Sequence, residues 1–132
     1  MMANALIKYQ FIWISLLVIT IVMVLIGFMP KPIDMNLEKI GNGRKAIVFV
    51  YDSNLSVSSQ QSAEMNKARS LVSEVTIFVV AKIGDPEGNN FMRHYNARAA
   101  DLLFFNIEGD LVNRKTALLS AEELAAILLS EM

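Results

Sequence analysis

From Tyr9 through Met29 the chain carries no Asp, Glu, Lys, Arg or His. A helix rises about 1.5 Å per residue, so residues 11–29 approach the roughly 30 Å of a bilayer's hydrocarbon core. Phe11, Trp13, Leu16, Leu17, Ile21, Leu25 and Phe28 run through this stretch, which reads as a transmembrane helix in contact with the lipid bilayer. Ser15 and Thr20 fit, because each hydroxyl can bond back to the preceding turn. Tyr9 and Trp13 suit the headgroup level, and Pro30 and Pro32 end the helix. A cleaved signal peptide fits less well. Its apolar run is usually shorter and is followed by small residues, whereas here Gly27 is followed by Phe28, Met29 and Pro30. A buried core helix would need a larger soluble body around it.

Orientation pulls two ways. Lys8 precedes the span and Lys31, Lys39, Arg44 and Lys45 follow it, which by the positive-inside rule favours a cytoplasmic C-terminal domain. An uncleaved signal anchor with a short tail often translocates its C-terminal domain all the same. The reading adopted is a single-pass protein of the bacterial inner membrane with a periplasmic domain.

The 132 residues then leave room for one small domain. A net charge of −1 offers no general attraction to a phosphate backbone, so nucleic acid is set aside as a partner. The absence of cysteine removes disulfides, thiolate catalysis, iron–sulfur ligation and most zinc sites together.

The expected organisation is a short tail over residues 1–10, the span over 11–29, a linker or one poorly defined edge element over 30–44 with Pro32, Gly41 and Gly43, and a domain over 45–132. Residues 46–51 form a continuous apolar run, as in a strand covered on both faces. Residues 58–73 place Ala63, Met65, Ala68, Leu71 and Val72 at helical spacing, and 75–81 form a second buried strand, implying a parallel crossover. The turn formers of 84–90 read as an exposed connection, followed by a short helix over 91–98 with Phe91 and Tyr95 on one face. Residues 102–107 and 111–116 flank Glu108, Gly109 and Asp110 as an antiparallel hairpin. Ser120 and Glu123 have the spacing of a capping box, opening a last helix with Leu124, Ile127 and Leu128 inward.

The order β, α, β, α, β, β, α is that of a minimal thioredoxin fold, and residues 91–132 resemble the C-terminal half of thioredoxins: a helix ending in Tyr95-x-x-Arg98, then Leu102-Leu-Phe-Phe105, the Glu-Gly-Asp hairpin and the closing Ser-x-Glu-Glu-Leu helix. The resemblance implies an α/β domain with a central four-stranded mixed sheet behind the membrane helix. In that family the first strand runs into Cys-x-x-Cys at the start of the next helix, where the helix dipole favours a thiolate. Here Leu55 and Ser58 stand at those places, and neither replaces a thiol, since an exposed Ser without a base is too weakly acidic to attack a disulfide. The family's cis-proline before the third strand is replaced by Ala100, where a trans bond and a reshaped loop are expected.

Other chemistry finds little support. His94 is alone, without Cys or clustered carboxylates to complete a metal site. Asp85 and Glu87 lack the spacing of a calcium loop, and Gly84 and Gly88 lack that of a phosphate loop. The serines at 53, 56, 58 and 59 have no nucleophile elbow. No catalytic residue, cofactor, metal or small-molecule substrate is therefore expected. What remains is the peptide groove implied by the resemblance, formed by Asn54, Leu55, Ser56, Val57 and Ser58 with Ala99, Ala100 and Asp101. The expected function is a non-catalytic accessory or assembly subunit among integral membrane protein subunits of a larger complex. A tethered peptide-binding or chaperone-like module serving a redox or secretion machine is the alternative.

Overall fold

The computed structural model describes residues 2–29, 32–72 and 76–130. Pro30, Ser73 and Val75, to which the sequence reading gave a helix stop, a helix end and a strand start, lie outside them. The chain divides into two compact units, Met1–Lys31 and Pro32–Met132.

The first unit is one helix, α1, Met2–Gly27. It starts well before residue 11 because Ala3, Ala5, Leu6 and Ile7 continue the helix without Gly or Pro. Ser15 Oγ donates to the Ile12 carbonyl and Thr20 Oγ1 to that of Leu16, each at 2.9 Å, so both hydroxyls are satisfied within the helix. Length and apolar composition make α1 capable of crossing a membrane, a property a signal sequence shares.

The second unit is built on β1 (Lys45–Tyr51), β2 (Thr76–Lys82), β3 (Asp101–Phe105) and β4 (Leu111–Thr116), with α2 (Ser56–Leu71), α3 (Pro86–Tyr95) and α4 (Ala121–Ser130). The sheet order is β2-β1-β3-β4. β1 pairs parallel with β2 and antiparallel with β3, and β3 pairs antiparallel with β4, giving a mixed sheet. β1 and β3 are buried on both faces, which is why each reads as an unbroken apolar run. Ile47, Phe49, Leu102 and Phe104 meet Met65 and Ala68 of α2 and Leu124 and Leu128 of α4 on one face. Val48, Val50, Leu103 and Phe105 meet Phe91 of α3 on the other. Apart from Ala68, each such side chain fully removed from water contributes about 1.5–3 kcal/mol.

Two local readings are corrected. α2 does not bury Ala63 or Leu71; its inner stripe is Ser58, Gln61, Met65 and Ala68. The two polar members are held by specific bonds: Gln61 Nε2 donates to the Leu119 carbonyl at 2.9 Å and its Oε1 accepts from the Leu119 amide at 2.7 Å, as a paired strand would. Residues 86–90, expected as an exposed connection, are the first turns of α3. Pro86 sits at a start position that needs no amide donor. Gly88 is there for close approach, since a Cβ would stand 2.1 Å from the Lys82 carbonyl oxygen. Residues 32–44, for which the sequence allows a linker or an edge element, lie along the edge of the sheet. The Val80 amide donates to the Asp34 carbonyl at 2.9 Å, Asp34 bridges Val79 in parallel, and a 3-10 turn, Leu37–Lys39, packs Leu37 toward the β2 side of the core. These contacts cover an edge strand whose groups would otherwise be exposed.

At the hairpin, Asn106 Oδ1 accepts from the Glu108 and Asp110 amides at 3.1 and 2.9 Å. The expected capping box is present: the Glu123 amide donates to Ser120 Oγ at 3.2 Å, and the Ser120 amide to Glu123 Oε2 at 2.7 Å.

Candidate functional site

The two segments expected to form the groove meet at one end of the sheet. β1 ends at Tyr51 and feeds residues 52–58, while β3 starts at Asp101 on the adjacent strand, running the other way. The Ala100 amide donates to the Val50 carbonyl at 3.0 Å, tying the 99–101 segment to the end of β1. Ligands of open α/β sheets characteristically bind beyond such strand ends.

The side chains divide sharply by burial. Asn54, Leu55 and Ser56 are exposed, with Leu55 at 40%. Val57 is half-buried and packs on the α2–α4 core, and Ala99 is half-buried. Ser58, Ala100 and Asp101 are buried. Ser58 is thus not the exposed hydroxyl that the sequence suggested. Its Oγ accepts from the Asp52 amide at 3.1 Å and closes the turn that starts α2. That helix begins at Ser56, two residues earlier than its periodicity indicated, with Leu55 as a cap lacking a side-chain bond.

Asp101 is a buried acid with local partners: Oδ2 accepts from the Arg98 amide at 2.8 Å and Oδ1 lies 3.4 Å from Thr116 Oγ1. It serves the loop rather than pointing at a ligand. Ala100 has φ +68°, in the left-handed region that non-glycine residues seldom adopt. Its preceding peptide is trans as expected, the one cis peptide among the described residues being Ala117–Leu118. His94 is exposed and stacks edge-on against Tyr95, with ring centroids 4.6 Å apart. Among the described residues no His, Cys, Asp and Glu group gathers into a metal site.

No protein-family model matches the chain, and no curated protein matches it. Solved structures do. A thioredoxin-like protein from Clostridium perfringens superposes with a TM-score of 0.66 at 17% identity, covering 80% of this chain and 85% of its own. The fold is thioredoxin-like. Thioredoxin O2 from Arabidopsis thaliana, in its oxidized state, gives 0.62 at 10% identity over 79% of this chain and 98% of its own. Thioredoxin-2, described as a component of malaria parasite protein secretion machinery, gives 0.59 at 13% over 65% and 82%. Within this thioredoxin-like domain Leu55 ends the strand-end loop, Ser58 is buried in the first turn of α2, and Ala100 stands just before β3.

What the sequence did not point to are the concavities along β2. Met35 has a recess of about 320 Å³ on one side, bounded by Val80, Lys82 and Gly88, and one of about 260 Å³ on the other, bounded by Ile33, Tyr51 and Asn66. A third, of about 430 Å³, opens between the 3-10 turn and α3. Their signal was hidden because they depend on how residues 33–38 lie against the sheet edge, which follows no periodic pattern.

Proposed function

We propose that this chain is a non-catalytic accessory or assembly subunit of a larger membrane protein complex, anchored by α1 and using its thioredoxin-like domain as a binding scaffold outside a bacterial inner membrane. The observation that carries this reading is a retained fold whose strand-end loop holds Leu55 and a buried, hydrogen-bonded Ser58 in a chain without cysteine. Thiol exchange needs an accessible thiolate, so binding is the use of the fold that these residues leave. The thioredoxin-2 described as a component of a secretion machinery supports the idea that such domains serve within assemblies. Mild-detergent solubilisation of the native membranes, capture on a C-terminal tag and mass spectrometry test it. Integral membrane subunits returning in fixed ratio are expected; recovery of the chain alone sinks the reading.

The exposed Leu55 at the mouth of the strand-end loop favours a second reading, a tethered peptide-binding or chaperone-like module. Leu55→Lys should then abolish client capture and leave the domain folded, because Leu55 lies outside the core. Unchanged capture counts against it.

A further inference from the structure

The third concavity, about 430 Å³ in volume, has an apolar floor of Leu37, Phe91 and Tyr95, and Glu38, Glu87 and His94 stand around it. Phe91 is nearly fully buried, and its ring lies 4.8 Å from that of Tyr95, tilted by 47°. Tyr95 is held from behind by Phe105, with centroids 5.1 Å apart, and flanked by His94. The floor is therefore a fixed aromatic surface.

The two carboxylates reach the rim from different elements. Glu38 is placed by the 3-10 turn, where its own amide donates to Asn36 Oδ1 at 3.0 Å, and Glu87 by the first turn of α3. Of the chain's cations on the neighbouring elements, Lys39 is bonded to the Asp34 carboxylate and the Arg114 guanidinium to the carbonyls of Tyr95 and Asn96, whereas Arg93 donates to Asn90 Oδ1 on the groove's own wall, one cation beside the two carboxylates. Lys82 borders the adjoining recess, which Glu87 also lines. The ion pairs among the described residues are Asp34–Lys39 and Glu64–Lys67, neither of which involves Glu38 or Glu87. Aromatic faces attract cations, more strongly where water is partly excluded, and carboxylates at the rim add charge complementarity.

We propose that the groove between the 3-10 turn and α3 receives a cationic side chain, arginine or lysine, of a partner polypeptide, seated on Tyr95 with Glu38 and Glu87 as its counter-charges. This rests on the binding-scaffold reading above and places its contact on the α3 face of the domain, away from the strand-end loop. A guanidinium meets both features at once, because its plane stacks on a ring while its edge donates to carboxylates.

The test is nuclear magnetic resonance on the full chain in detergent micelles, titrated with an acetylated, amidated Gly-Ser-Arg-Ser-Gly peptide, its citrulline counterpart and argininamide. The arginine peptide should shift the Phe91, His94 and Tyr95 ring signals saturably. The citrulline peptide, and the E38Q/E87Q double variant with an otherwise unchanged spectrum, should each weaken binding at least tenfold. Unshifted rings, equal binding by the citrulline peptide, or unaltered binding by the double variant overturn the proposal. So does argininamide binding as tightly as the peptide, since the site would then take small cations. Native-membrane capture separates the two readings: a complex recovered with rings unmoved removes only the groove, and a solitary chain that binds the peptide removes only the accessory-subunit role.

Discussion

Ala100 holds a backbone conformation that costs an alanine about 1–2 kcal/mol, with φ +68° and its amide bonded to Val50. Ala100→Gly should therefore raise stability by up to about 1 kcal/mol. Ala100→Pro should lower it by about 3 kcal/mol or more, because proline fixes φ near −65° and removes the donor to Val50. Denaturant unfolding of the full chain in micelles measures both, and a neutral Ala100→Pro would show that the loop can refold around a proline. Gln61 makes a similar point in the core. Gln61→Leu keeps the volume but strands the Leu119 amide and carbonyl, a loss of about 2–4 kcal/mol by the same measurement. The polarity of Gln61 hides its burial from a pattern that counts apolar residues.

At the scale of elements, α2 and α4 are locked by a polar contact at one end. Glu64 of α2 bonds Lys67 through Oε1 at 2.9 Å and accepts the Ala121 amide through Oε2 at 2.8 Å, at the positive end of α4. The Lys67 ammonium, then the Ala121 amide, hold the Glu64 carboxyl below its ordinary value, and Glu64 in turn raises that of Lys67. The folded state thus binds fewer protons than the unfolded one in the acid range. The stabilisation is complete above the ordinary glutamate pKa of about 4.3 and disappears as pH falls through the lower folded value. Carbon-13 carboxyl titration should show Glu64 titrating below free glutamate and moving back toward it in Lys67→Gln. An unmoved Glu64 in that variant would mean that the amide alone sets the shift. The elements themselves were largely legible in the sequence: the β1 and β3 apolar runs, the Ser120–Glu123 box and the hairpin are local patterns. The α3 start was not, because Pro86 and Gly88 signal a turn until the packing of Gly88 on Lys82 is known.

For the whole molecule, the absence of cysteine makes orientation directly measurable. Asn54 is exposed in the strand-end loop, so Asn54→Cys in intact cells should react with a membrane-impermeant maleimide if the domain is periplasmic. Labelling only after permeabilisation would place it in the cytoplasm, as the positive-inside rule would have it for the lysines and arginine after α1. An intact mass that retains the first residues would separate an anchor from a cleaved leader in the same preparation.

Patterns of short range were enough for the sequence to determine an apolar helix ahead of a β, α, β, α, β, β, α domain with both sheet faces covered. Composition alone shows that the sequence carries no cysteine. Tertiary structure alone decided that Ser58 and Gln61 lie inside, that Ala100 is left-handed, that residues 32–44 cap the β2 edge, and that Glu38, Glu87 and Tyr95 surround one groove. The physical reason is distance along the chain. Periodicity reports which face of one element is apolar, whereas a buried polar side chain or a groove exists only through partners on other elements, such as Leu119 for Gln61 and Leu37 for Tyr95.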